Sequence, residues 1–143
     1  MTMNISFKAF DKLPDEARFI RETVFVKEQS FVDEFDENDD KSVHILMFEN
    51  NIAIGTARII YSNEHHCYII GRFAVLKEYR SKGLGRELMR FTEKEIVRRY
   101  GHIQVGVSSQ ERASKFYEKF GYDYTSERYL DQYCPHVFMT KIL

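Results

Sequence analysis

The feature that most limits the fold is a change of hydrophobic period across one short basic, glycine-containing turn. Residues 67–76 are rich in apolar and β-branched side chains, as a strand requires. From Leu84 onward, Leu84, Leu88, Phe91 and Ile96 share one face, interspersed with Arg86, Glu87, Arg90, Glu93 and Lys94. That spacing predicts an amphipathic helix of about four turns. Between strand and helix lies Arg80-Ser81-Lys82-Gly83-Leu84-Gly85. The first N–H groups of a helix lack intrahelical partners and sit at the positive end of its dipole, so such a turn suits an anion. Gly83 and Gly85 let the backbone approach phosphate oxygens, while Arg80 and Lys82 add positive charge. The same residues could also simply turn the chain, with their charges solvated.

The rest of the chain builds around this unit. Ile5 and Phe7 alternate with polar neighbours as in a first strand, and Leu13-Pro14-Asp15-Glu16 opens a helix with Leu13, Ala17, Ile20 and Val24 as its buried stripe. Residues 33–40 concentrate acid without helix or strand periodicity, which predicts an acidic loop. Residues 43–48 and 52–60 form a hairpin through Glu49-Asn50-Asn51, where Asn tolerates positive φ. Residues 102–108 alternate at period two. Ala113, Phe116, Tyr117 and Phe120 return to helical spacing before Gly121, and residues 137–142 close the chain as a strand. The order βαβββαβαββ predicts an α/β (α+β) fold: one domain over residues 1–143, with a mixed central β-sheet flanked by helices. A length of 143 residues suffices for one core, and with 2 Pro, 7 Gly and no repeat nothing marks a linker.

Composition excludes several classes. A formal net charge of -1 gives no global pull toward nucleic acid or anionic membrane. The helix cluster Arg86, Arg90, Lys94, Arg98 and Arg99 is offset by Glu87, Glu93 and Glu95, so no nucleic-acid partner is expected. No apolar run approaches the ~20 residues of a membrane span, and Met1-Thr2-Met3-Asn4-Ile5-Ser6 lacks signal-peptide character, so a cytoplasmic protein is expected. Cys67 and Cys134 read as free thiols. Adjacent residues such as His65-His66-Cys67 seldom converge on one ion, so no metal is expected.

Two nucleotide motifs fail at the turn. A P-loop ends in Gly-Lys-Ser/Thr, and a dinucleotide fingerprint has a third Gly where this chain has Leu88. Arg80-Ser81-Lys82-Gly83-Leu84-Gly85 instead resembles the Arg/Gln-x-x-Gly-x-Gly/Ala motif of the GNAT superfamily of acyl-coenzyme A N-acyltransferases. Ala113-Ser114-Lys115-Phe116-Tyr117-Glu118-Lys119-Phe120-Gly121-Tyr122 is similar to that superfamily's Ala-x-x-Phe/Leu-Tyr-x-x-x-Gly-Phe/Tyr helix. Val26-Lys27-Glu28-Gln29, Asp36-Glu37-Asn38-Asp39 and Pro135-His136-Val137-Phe138-Met139 resemble its ElaA-like branch.

The resemblance implies a fold and an activity: acetyl transfer from acetyl-coenzyme A to a primary amine, on a small molecule or on a peptide or protein, by direct attack in a ternary complex. Phe73, Ala74 and Val75 would pair with the pantetheine arm, and Arg80 to Gly85 would hold the pyrophosphate. Ser108, Ser114 and Tyr117 would complete the cofactor contacts. A backbone N–H of the 73–75 strand is the natural oxyanion donor. Tyr117 stands where the family commonly places a general acid, although it also fits a core aromatic beside Phe116 and Phe120. The strand before the loop carries no carboxylate base, which leaves His136 as substitute base or as a structural strand histidine. Asp36 and Asp39 would draw a cationic acceptor to the cleft, or belong to an ordinary solvated loop. A non-catalytic acyl-coenzyme A sensor is the alternative function, and the homodimer is one option for assembly.

Overall fold

The computed structural model describes residues 4–31, 34–131 and 133–143, so Asp33 of the acidic run and Met1-Thr2-Met3 lie outside the described residues. Seven strands form one sheet in the order β1-β2-β3-β4-β5-β7-β6. They are β1 (Ile5–Phe10), β2 (Val43–Glu49), β3 (Ile52–Ser62), β4 (Cys67–Val75), β5 (Gln104–Gln110), β6 (Asp123–Asp131) and β7 (Cys134–Ile142). Every pairing is antiparallel except β4 with β5. That pair is parallel because helix α2 (Leu84–Tyr100) carries the chain between them, as a parallel connection requires. The mixed sheet matches the expected fold class, and no helix of the described residues is long and apolar enough to cross a membrane.

Alternation along β2 explains how the sheet is covered on both faces. Ile45 and Met47 join α2 residues Leu84, Leu88, Met89 and Ile96 in one core. Leu46, between them in sequence, joins Ala17 and Ile20 of the first helix, and Val24 of the segment that follows it, on the opposite face. A strand buried on both sides needs the near-continuous apolar run seen in Val43–Glu49. The hairpin turn has Asn50 at φ 49 and Asn51 at φ 70, a geometry that Asn tolerates.

Helix α1 (Asp15–Arg21) continues directly into a wider π-helical segment, Glu22–Glu28. Such segments are rare and concentrate at functional sites. Beyond it, part of the acidic run is ordered. Asp36 caps a 3₁₀ turn, Glu37–Lys41, by accepting from the Asn38 N–H, and the Asp39 carboxylate accepts in turn from the Asp36 N–H. Helix α3 (Ser114–Lys119) ends at Gly121, whose φ of 96 is open to glycine.

Candidate active site

The parallel β4–β5 pairing covers only Tyr68 to Ile70 with Val105 to Val107. Beyond those residues β5 follows β7, pairing Ser108, Ser109 and Gln110 with Phe138, Val137 and His136. β4 follows β3, pairing Ala74 with Thr56 and Val75 with Gly55. The sheet therefore splits between its fourth and fifth strands. A bulge in β4 accompanies the split: Arg58 pairs Gly71 and Thr56 pairs Ala74, which leaves Arg72 and Phe73 opposite Ala57. Arg72 takes φ 47, in the left-handed region that side chains rarely adopt.

The open edge of β4 can be assigned from the ladder. Leu76 donates its N–H to the Ile54 carbonyl on the β3 side. Because successive peptide groups alternate sides, the Val75 and Phe73 N–H groups face the gap. Arg80 Nε donates to the Val75 carbonyl at 2.8 Å, which fits the same alternation.

A cavity of about 260 Å³ fills the split. Phe73 and Arg72 of β4 face Ser108 and Gln110 of β5 across it, with Tyr117 of α3 and His136 of β7 completing the wall. The sequence-derived candidates Tyr117, His136, Phe73 and Ser108 thus share one cavity. Tyr117 is 9% exposed and its ring packs among Phe73, Phe116 and Tyr122. Burial alone pushes its hydroxyl above the ordinary tyrosine value, with no hydrogen bond or charge contributing. His136 Nδ1 lies 2.8 Å from the Cys134 carbonyl. A carbonyl only accepts, so Nδ1 carries the proton and the neutral ring's lone pair is on Nε2. Ser108 Oγ bonds the Tyr129 hydroxyl, and the Tyr129 ring stacks on His136 at 5.9 Å.

The basic loop adjoins this cavity. A Cβ on Gly85 would lie 3.6 Å from the Phe116 ring and 3.9 Å from that of Phe73. Ser81 at φ 66 and Gly83 at φ 76 both take the left-handed conformation, and Gly83 precedes Leu84 at the start of α2. Leu84 itself is buried in the core. Lys82 is exposed over the Tyr79 ring. Arg80 is already engaged: besides Val75 it forms a two-point pair with Glu28, at 2.6 and 3.0 Å. Ser114 is buried on α3 and bonded to the Glu111 carbonyl and the Tyr124 hydroxyl, away from the cavity lining.

The acceptor candidates have structural partners. Asp39 is 5% exposed and pairs with Arg21 at 2.8 Å and Arg58 at 3.1 Å. Burial works against its charged form, but the hydrogen bonds and charges of Arg21 and Arg58 outweigh it and hold its carboxyl below the ordinary value. Asp36 is exposed and lies 3.4 Å from Arg58 and 3.8 Å from Arg72. Neither lines the cavity, whereas Glu34 of the same run does. Sequence reading also passed over Gln29, whose Oε1 accepts from Gln110 Nε2 at 2.6 Å at the cavity edge. Its position in Val26-Lys27-Glu28-Gln29 was the available signal. Beside it lies a groove of about 570 Å³ between Gln29, Phe31, Arg112, Tyr133 and Pro135.

Among the described residues, one cluster of three metal-ligating side chains occurs, Glu64, His65 and Glu127, none of which lines the cavity. There His65 Nε2 bonds Glu127 at 3.1 Å, while His66 and Cys67 take no part.

Comparison with known proteins agrees with this geometry. A family model described as an acetyltransferase (GNAT) domain matches residues 12–143. YyaT of Bacillus subtilis is 38% identical over 133 residues, 88% of this chain and 86% of its own. The crystal structure of Escherichia coli ElaA superposes with a TM-score of 0.84 at 25% identity, covering 98% of this chain and 99% of that one. A GNAT family acetyltransferase from Elizabethkingia anophelis, solved with acetyl-CoA bound, has the same fold at a TM-score of 0.74 and 14% identity, covering 98% of this chain and 99% of that one.

Proposed function

The chain belongs to the GNAT acetyltransferase family, in its ElaA-like branch, and from that premise we propose that it moves an acetyl group from acetyl-coenzyme A to a primary amine by direct attack in a ternary complex. The observation that carries the reading is the split between β4 and β5, because it leaves one strand edge unpaired beside a glycine-rich helix start. The acetyl-CoA bound to the Elizabethkingia protein supports coenzyme A as the cosubstrate. Each part of that molecule has a counterpart here. The Phe73 and Val75 N–H groups suit the amides and thioester of an extended arm. The loop from Arg80 through Ser81, Lys82 and Gly83 to Leu84 and Gly85 suits its pyrophosphate.

The chemistry follows from where charge develops. As the amine attacks, negative charge forms on the thioester carbonyl oxygen, and a gap-facing β4 N–H stabilises it. One donor of this kind contributes roughly 2.7–4 kcal/mol elsewhere. His136 Nε2, holding a lone pair, takes the proton that the amine must lose, directly or through water. Tyr117 gives its proton to the departing sulfur as the carbon–sulfur bond breaks. Burial raises the tyrosine, so its hydroxyl holds the proton until the departing sulfur takes it. The groove lined by Gln29, Phe31, Tyr133 and Pro135 offers the amine an approach, since Gln29 and Phe31 also line the cavity. Asp36 and Asp39 act on this reading by holding Arg58, with Asp36 the more accessible of the two to a cationic acceptor.

The test is thiol release from acetyl-coenzyme A across a panel of primary amines. Turnover with any of them supports the enzyme, and tight coenzyme A binding without turnover makes the chain a sensor instead.

A further inference from the structure

Three guanidinium groups, Arg21, Arg58 and Arg72, meet three carboxylates, Glu34, Asp36 and Asp39, at the cavity, and this pairing leaves one edge of Arg58 unused. Arg21 is fully buried, Arg58 is 8% exposed, and Arg72 stands beside Arg58 on the cavity wall. Glu34 Oε2 accepts from Arg21 at 2.8 Å and lies 3.0 Å from Arg72 Nε. Asp39 Oδ1 likewise accepts from Arg21 at 2.8 Å and from Arg58 at 3.1 Å. Both contacts of Arg58 with carboxylates use the same nitrogen, Nη1. Its Nε is shielded from solvent and has no hydrogen-bond partner, and among the described residues no bond is made by Nη2.

The unused Nε/Nη2 side is the edge that grips a carboxylate at two points. Nε is covered by protein atoms while Nη2 is not, so an anion in the cavity meets Nη2 first and gains the second point as the Arg58 side chain turns to bring Nε to it, which relieves the cost of the unpaired donor. Burial, followed by the charges of Arg72 and Arg21, outweighs the contribution of Asp39 and holds Arg58 below its ordinary value.

We propose that the cavity between β4 and β5 receives a carboxylate carried by one of the two substrates, with Arg58 as its specificity-determining residue and Arg72 in support. Two sources have this chemistry: an amine acceptor of amino-acid type, or an acyl group ending in a second carboxylate. The proposal rests on the acyltransferase reading for what the two substrates are, but a binding measurement decides it without turnover.

In the first arm, N-acetylalanine and N-acetylalaninamide, which differ only in the carboxylate, are titrated calorimetrically into protein saturated with coenzyme A. In the second, acetyl- and succinyl-coenzyme A are titrated into the free protein. At least a tenfold preference for the carboxylated member in either arm is expected, and the arm that gives it identifies the source. A preference below threefold in both arms overturns the proposal. Arg58→Lys keeps a cation beside Asp39 but loses the two-point edge, so it should reduce the preference to below threefold. If that variant does not fold, the wild-type ratios stand as the deciding result. Thiol release from acetyl-coenzyme A with alanine and alaninamide, the free amines of the same pair, and from succinyl-coenzyme A with the amine panel separates the two readings: a carboxylate preference in binding without turnover sinks the acyltransferase reading and leaves this one intact.

Discussion

Replacing Tyr117 by Phe isolates one hydroxyl from everything else the residue does. The ring would keep its edge contacts with Phe116 at 5.2 Å, Tyr122 at 6.0 Å and Phe73 at 6.2 Å. No hydrogen bond or charge contributes to the environment of the hydroxyl, so its removal orphans no partner. Stability should therefore change by less than about 0.5 kcal/mol. If Tyr117 protonates the leaving sulfur, kcat should fall by about 10²–10⁴-fold, since that is what positioned proton transfer contributes. At 1.36 kcal/mol per decade this is a barrier increase of about 2.7–5.4 kcal/mol. The assay pairs steady-state thiol release with calorimetric affinity for coenzyme A, which should stay within about twofold, or about 0.4 kcal/mol. A variant with kcat within threefold of wild type and unaltered melting would refute the role. Loss of kcat together with several degrees of melting temperature would make Tyr117 a packing residue instead.

Three further outcomes follow from the same geometry. His136→Ala should lower kcat about 10²-fold or more while leaving coenzyme A affinity intact, and a kcat within threefold of wild type would eliminate it as the base. Glu28→Gln should free Arg80 and tighten coenzyme A by up to about fivefold, because a part-exposed ion pair contributes at most about 1 kcal/mol against the exchange; weaker binding would mean the pair is needed to shape the loop. Burial holds the His44 ring below its ordinary 6.5, so the unfolded chain binds that proton first and stability is lost as pH falls from about 6.5 toward the folded value. The urea midpoint should drop between pH 7 and 5 and do so less in His44→Gln, with Asp39 adding a separate loss below about its ordinary 3.8; a midpoint that rises over pH 7 to 5 would contradict this.

What the sequence discloses depends on how local the cause is. Helix α2, its glycine turn and the Asn50-Asn51 hairpin are set by neighbouring residues, so periodicity and turn chemistry reveal them. β6 is expected in the element order but without residue bounds, because Asp123–Asp131 sits at the sheet edge with mostly polar side chains and offers little apolar alternation to mark its ends. The acidic run was misleading for the opposite reason. Asp39 reads as a solvated charge until Arg21 and Arg58 arrive from 18 and 19 residues away, and Arg21 itself lies on a helix where arginine normally faces water. Counter-charges brought together by tertiary structure leave no trace in local composition. On the proposed reading, the half that would hold coenzyme A is built from one strand and the following turn, which local sequence marks. The half that would receive the acceptor draws on β3, β7, the acidic run and the π-helical segment, which local sequence does not bring together.

That asymmetry has a physical origin in the split sheet. Parting two central strands leaves backbone donors and acceptors without partners, and a protein tolerates this only where something else satisfies them. Here Arg80 closes off the Val75 carbonyl, and Gln29 bridges to Gln110 across the cavity edge. Both devices depend on the same stretch, since Glu28 orients Arg80 and Gln29 is its neighbour. The π-helical segment that ends at Glu28 delivers the two side chains together. Behind them, Arg72 is held at an unfavourable φ by its contacts with Glu34 and Asp36, which ties the β4 bulge to the acidic run. The opening is thus kept by charged and amide contacts from the α1–β2 region and not by the strands that border it. On this account a change in that region, remote from the glycine loop in sequence, alters the shape of the gap first and stability second.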